Sequence, residues 1–161
     1  MEEINYNNAL STSFKFVIDI IPSLTYFAQS VTIPTLTVDS IETKIRNYRA
    51  KLPDNHMVMD DLMLQFLVDE DYYNYDKIRL WMLKCVKAQE DDDGSIGELL
   101  SDVYVSRLDS NKKEIAKFVF KGAFPSMLGS LNLASNVADA DIIVSDITFA
   151  YQSYDIVYTN R

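Results

Sequence analysis

The sequence predicts a mainly β protein, a small barrel or sandwich of long antiparallel strands with one α-helix on its flank. Three observations carry that prediction. Apolar and polar residues alternate with a period of two in stretches such as FKFVIDI and LMLQFLV. One stretch, residues 72–88, switches to the three-and-four spacing of an amphipathic helix. Ten Tyr and eight Phe against only four Gly give an aromatic, loop-poor composition that suits pleated surfaces.

The elements follow in order. In FKFVIDI, Phe14, Phe16, Ile18 and Ile20 share one face and Lys15, Val17 and Asp19 the other, which reads as a strand ended by Pro22. LTYFAQSVTI reads as a second strand running to Pro34, paired with the first as a hairpin through IPS. Residues 35–55 are neither cleanly alternating nor helical and read as an extended arm, since such lengths inside compact domains usually serve a function. HMVMDDLMLQFLVDED reads as a third long strand, with Leu62, Leu64, Phe66 and Val68 on one face.

The helix comes next. Tyr75, Ile78, Trp81, Met82, Cys85 and Val86 fall on its apolar stripe, and the first five are its expected core contacts. Asp69, Glu70 and Asp71 at its start and Lys84 and Lys87 near its end would complement the helix dipole. QEDDDGSIG reads as a solvated loop. SDVYVSRL and EIAKFVFKG read as two strands joined by DSNKK, a stretch rich in hairpin-turn residues. AFPSMLGSLNLASNVADA reads as a long connection punctuated by Pro125 and Gly129, and DIIVSDITFAYQSYDIVY as a final long strand.

At 161 residues, with 48% hydrophobic residues, the chain suits one undivided domain, 1–161, with a core that needs no disulfide or metal. The formal charge of −9 argues against a general nucleic-acid coat, because phosphate binding relies on clustered Lys and Arg. Cys85 is the only cysteine, so no internal disulfide is possible. The start, MEEINYNNALSTSF, lacks the basic and apolar regions of a cleaved secretory signal. No apolar run approaches the roughly 20 residues of a membrane-spanning helix, so no membrane partner is expected.

The candidates for chemistry are few. His56 is the only histidine, and with Cys85 it exhausts the usual zinc ligands and nucleophile partners. Cys85 lies on the apolar helix stripe, where a thiol is ordinarily a small buried hydrophobe. The acids 90–93 before Gly94 suggest calcium, but alignment on Gly94 puts Gln89 and Leu100 where an EF-hand loop needs carboxylates. No phosphate-binding glycine loop, G-x-S-x-G elbow or H-E-x-x-H is present. Tyr72, Tyr73 and Tyr75 could stack bases, yet three acids precede them, and packing is the simpler role. No enzyme activity, metal or cofactor is expected; a carboxylate-based enzyme or a metal-binding β domain is the competing class.

One local charge pattern stands against the acidic background. Lys44, Arg46, Arg49 and Lys51 fall within eight residues of the arm, with Tyr48 among them. Nucleic acid, an anionic surface and an acidic neighbouring subunit are the three things such a run could meet.

FKFVIDI, FAQSVTIP, FLVDEDYYNYDKIRLWM and GAFPSMLGSLNLASNVADADIIVSDITFAYQSY together resemble the tail tube proteins of contractile-tailed phages. The most specific parts are Asp69 and Glu70 before a helix with Trp81 at its centre, and Phe124, Pro125, Leu128, Gly129 and Leu131 leading to a long strand. The resemblance implies two packed antiparallel sheets forming a small barrel with a flanking helix, a fold shared with the Hcp tube of type VI secretion systems. It implies a structural subunit of the virion, assembled in the host cytoplasm, whose hexameric rings stack into a hollow tube that conducts DNA after sheath contraction. The implied partners are sister subunits, tail sheath, baseplate and tail-terminator proteins, and a tape measure protein in the lumen, with DNA passing transiently and non-specifically.

On that resemblance the arm matches the segment that contacts neighbouring subunits, which assigns Lys44, Arg46, Tyr48, Arg49 and Lys51 to acidic sister surfaces. Lys15, Asp19, Asp146, Thr148 and Gln152 are the candidates for the lumen face. A baseplate tube initiator, a tail terminator or an Hcp-like secretion ring would share the same fold.

Overall fold

The computed structural model describes residues 13–91, 96–133 and 142–159. Among the described residues nine strands and three helices follow one another: β1 (Phe14–Ile18), α1 (Leu24–Phe27), β2 (Ala28–Thr32), β3 (Leu36–Ile45), β4 (Tyr48–Met59), β5 (Leu62–Leu67), α2 (Tyr73–Asp91), α3 (Ile96–Leu99), β6 (Ser101–Leu108), β7 (Glu114–Leu128), β8 (Val144–Ala150) and β9 (Ser153–Tyr158).

Two antiparallel layers share one strand. The first half of β7 pairs with β6 on one side and β9 on the other, and β1 extends the layer beyond β6. The second half of β7 pairs with β8, which continues to β5 and β2. The path β1-β6-β7-β8-β5-β2 ends at β1 and β2, and no described strand pairs those two ends. The barrel is therefore not closed, and the molecule is a sandwich joined through β7.

The core fills the space between the layers. Phe16, Ile18, Val103 and Phe120 come from one layer, Leu62, Leu64, Ile147 and Phe149 from the other, and each is almost fully buried. Phe16 and Phe149 stack across the gap with ring centroids 6.1 Å apart. Helix α2 covers one side of this core with Ile78 and Trp81.

Several expected elements are drawn differently. β1 and β2 do not form a hairpin: β1 pairs with β6 and β2 with β5, because the four-residue helix α1 carries the chain from one layer to the other. The expected third long strand is two strands, β4 and β5, parted at Asp60 and Asp61. The expected connection after residue 122 is instead the continuation of β7, with Pro125 opposite Phe149 and a register shift between Pro125 and Met127. A bulge is where a strand tolerates a proline. The expected final strand breaks at Tyr151 and Gln152 into β8 and β9, opposite Gly122. Gly122 has φ +60°, and a Cβ there would meet the Gln152 side chain at 2.8 Å, so glycine is what lets the two strands turn together.

Helix α2 runs to Asp91, so Lys84 and Lys87 precede its last turn, which holds no basic residue. At its start one of the expected acids, Asp69, meets the helix directly. The Asn74 backbone N–H donates to the Asp69 carboxylate at 3.2 Å, and the Asn74 amide donates to the Leu67 carbonyl at 2.8 Å. Residues 1–12, 92–95 and 134–141, which include the N-terminal segment, most of the acidic loop and part of the long connection, lie outside the described residues.

Candidate assembly interface

The segment expected to be irregular is a β-hairpin. β3 and β4 pair with each other from Leu36↔Met59 out to Ile45↔Tyr48 and with no other described strand. Sequence patterning hides it for two reasons. The register shifts between Val38 and Ser40, leaving Asp39 opposite residues 54–56, which breaks the alternation. The tip is turned by Arg46 at φ 50° and Asn47, without the glycine that signals a tight hairpin. Pro53 fits within β4 because a two-stranded ribbon has free edges.

The outer half of the arm has two chemically distinct faces. Successive strand residues point to opposite sides, and the pairs Ile41↔Leu52, Thr43↔Ala50 and Ile45↔Tyr48 put apolar and small side chains on one of them. The pairs Glu42↔Lys51 and Lys44↔Arg49 put charge on the other. Arg49 reaches Glu42 at 3.5 Å, but both side chains are more than half exposed, so the pair adds little stability. Among the described residues, no carboxylate lies within ion-pair distance of Lys44, Arg46 or Lys51.

The apolar face is bare. Tyr48 is 63% exposed, Ile41 49% and Leu52 44%, although each would be stabilised by burial. A two-stranded ribbon is marginal by itself in water, and a contiguous exposed apolar patch marks an interaction surface. Arg46 sits at the tip between the two faces, while Lys44, Arg49 and Lys51 share the charged one. Tyr48 therefore belongs with the apolar side chains and apart from the bases that neighbour it in sequence.

The root of the arm is tied to the body. The Asp60 N–H donates to the Thr35 carbonyl at 3.1 Å, closing the ribbon. The Tyr151 hydroxyl donates to the Asp60 carbonyl at 2.8 Å, and the Ser126 hydroxyl lies 3.2 Å from both the Asp61 carboxylate and the Thr148 carbonyl. Burial first, then Tyr154, Asp61 and Asp60, push the Tyr151 phenol up to about 12. It thus remains a proton donor at neutral pH. Sequence reasoning gave neither Tyr151 nor Ser126 a functional role; alternation placed Tyr151 only on the face of Ile147 and Phe149.

The five lumen candidates do not share one face. Lys15 alternates with buried Phe16 on β1, and Asp19 follows that strand, so Lys15 lies on the outer side of the first layer. Asp146 and Thr148 alternate with buried Ser145, Ile147 and Phe149 on β8, on the outer side of the second layer. Thr148 is only 8% exposed and lies in register between Met63 and Met127. Gln152 sits at the corner over Gly122.

The five expected core contacts of the helix do come together, whereas Val86 on the same stripe is exposed, because it lies at the edge of the face that meets the sandwich. Ile78 and Trp81 are buried, and Tyr75, Met82 and Cys85 pack partly buried against the same core. The Trp81 indole donates to the Leu99 carbonyl at 2.8 Å, and the Tyr75 hydroxyl donates to the Gly129 carbonyl at 3.1 Å. Burial pushes the Cys85 thiol up, away from the reactive thiolate. His56 lies on the exposed arm, on a different element from Cys85. Among the described residues no group of three or more His, Cys, Asp or Glu side chains could hold a metal ion, and no helix is long and apolar enough to cross a membrane.

Comparison with known proteins follows the same lines. The family model for phage tail tube proteins matches residues 3–157. No curated protein sequence matches the chain. Among solved structures, the tube-terminating cap of the anti-feeding prophage aligns over 99% of this chain and 97% of its own, at 14% identity and a TM-score of 0.71. A chain from the sheath–tube complex of the PVC extracellular contractile injection system, in its extended state, aligns over 96% and 94%, at 15% identity and a TM-score of 0.67. An Hcp protein aligns over 91% and 90%, at 11% identity and a TM-score of 0.52. Identities this low speak to the fold alone.

Proposed function

The chain belongs to the phage tail tube protein family, and from that premise we propose that it is the repeating structural subunit of a contractile tail's inner tube. The whole chain acts as one tube domain with the β3–β4 hairpin as its inter-subunit arm. Homohexameric rings stack into a hollow conduit that carries DNA into the host after sheath contraction. The subunit catalyses nothing and needs no cofactor. Assembly takes place in the host cytoplasm on a baseplate, around a tape measure protein, inside a sheath and beneath a terminator. Structural likeness to chains of a sheath–tube complex and of the anti-feeding prophage baseplate supports the sheath and the baseplate among these partners.

The observation that carries the reading is the two-faced arm. Its bare apolar side supplies the burial an assembly contact requires, and its basic side selects an acidic surface. A chain of net charge −9 offers that surface in its own sister copies. Six copies make a ring of about −54, which repels passing phosphates instead of retaining them. Of the three partners open to the basic run, a sister subunit is the one this charge balance favours.

A second reading is a tube terminator, supported by the alignment over nearly the full length of both chains with a tube-terminating cap. Negative-stain electron microscopy of the purified protein at high concentration, beside its mass in solution, separates the two. Long hollow tubes are the expected result. Particles that stop at one or two rings would assign the chain to capping or initiation, and a strict monomer even with baseplate proteins present would remove the tube reading.

A further inference from the structure

The chain crosses from arm to body through Asp60 and Asp61, the two residues between β4 and β5. Two residues outside a strand leave several backbone torsions with which the ribbon could pivot. The body opposes that pivot at one well-anchored point. The Tyr151 ring is clamped by Phe120, a fully buried core residue, at a centroid distance of 5.0 Å in an edge contact, and by Tyr154 at 6.0 Å. From that clamp its hydroxyl reaches the Asp60 carbonyl at 2.8 Å. The ring is thus held by the first layer's core while its polar end holds the backbone carbonyl of Asp60, the first residue after β4.

We propose that Tyr151 is the positioning residue that sets the angle at which the β3–β4 arm leaves the sandwich. Ser126 provides a second, weaker tie. Its one hydroxyl hydrogen serves either the Asp61 carboxylate or the Thr148 carbonyl, so it steers the root without fixing it. Arm angle matters because a ribbon pivoting at its root sweeps its tip widely, and the two faces must meet a neighbour in one register. Fixing the arm before contact lowers the ordering cost of assembly. The link to assembly rests on the arm being the inter-subunit contact; the positioning role does not.

The test measures the arm directly in dilute monomer. Nitroxides are placed at Lys44→Cys on the arm and Asn111→Cys on the β6–β7 turn, in a Cys85→Ala background, and their distance distribution is read by pulsed electron spin resonance. Tyr151→Phe keeps the ring and removes only the hydroxyl, so the variant is expected to fold. The parent should give a narrow distribution and Tyr151→Phe a broader or shifted one, with tube yield from the unlabelled variant falling several-fold. Tyr154→Phe, a change in the same aromatic cluster away from the arm root, should leave the distribution narrow. An unchanged distribution in Tyr151→Phe overturns the proposal, as does equal broadening in Tyr154→Phe. Broadening with undiminished tubes upholds the positioning role and counts against the arm as the assembly contact, so the two failures are distinguishable.

Discussion

Trp81 does two jobs at one position. Its ring closes the side of the core at 6.1 Å from Phe149, and its indole N–H satisfies the Leu99 carbonyl at 2.8 Å. Trp81→Ala should destabilise folding by about 3–5 kcal/mol, read by chemical denaturation, since truncating a buried aromatic leaves a cavity and here also strands a carbonyl. Tyr151 makes a prediction in pH. Its phenol stands at about 12 in the fold against 10 when unperturbed, so the neutral form is the one the fold favours. Its contribution is complete below pH 10 and is lost as pH rises through about 12. The stability gap between the parent and Tyr151→Phe should therefore narrow over that window in alkaline denaturation series.

Side-chain roles were unevenly legible. Trp81 and Ile78 stand out in the sequence because helical spacing alone marks them as core. Gly129 read locally as punctuation and otherwise only through the family resemblance, yet its Cα passes so close to β8 that a Cβ would lie 2.9 Å from the Asp146 backbone nitrogen. Such a requirement arises from a contact between distant segments and leaves no local pattern.

Among the elements, the arm carries the clearest experiment. Arg46→Glu with Arg49→Glu reverses charge on exposed positions, where substitutions usually cost less than about 0.5 kcal/mol of stability. The monomer's melting temperature should barely move while tubes fail to form. Ile41→Ser with Tyr48→Ser should also block tubes, by removing apolar area from the opposite face. Electron microscopy beside thermal melts checks both, and normal tubes from both double variants would dismiss the arm as an interface.

Strands whose side chains alternate with a period of two, such as β1 and β5, can be read directly from alternation. Their partners cannot, because β1 joins β6 across about 80 residues of chain and nothing local encodes that choice. The arm hid behind its register shift and its glycine-free tip. The second half of β7 hid behind Pro125, a residue that ordinarily ends a strand and here sits beside a bulge. Helix α1, at four residues, is too short to show a helical repeat.

At the scale of the molecule the net charge of −9 is the governing number. Purified protein, as monomer or tube, should show no measurable binding to duplex or single-stranded DNA at about 0.15 M salt, where non-specific partners bind with Kd of roughly 10⁻⁴–10⁻⁶ M. Fluorescence anisotropy with a labelled oligonucleotide reads this, and micromolar binding would contradict a conduit that lets DNA slide. The overall class, a small barrel or sandwich of antiparallel strands with a flanking helix, was legible from composition and periodicity, and the two packed sheets from the family resemblance. Closure was not: whether six or seven paired strands complete a barrel depends on curvature, which the alternation of side chains does not record.

The strand shared by both layers has a mechanical consequence. In a sandwich whose sheets touch only through side chains, a load applied across the layers would work against dispersion and burial alone. Here the backbone of β7 crosses from one layer to the other, held by β6 and β9 along its first half and by β8 along its second. Separating the layers would mean stripping one half of β7 from its ladder, either from β8 or from β6 and β9. Load between the two layers would therefore be carried by covalent chain as well as by the side chains of the core.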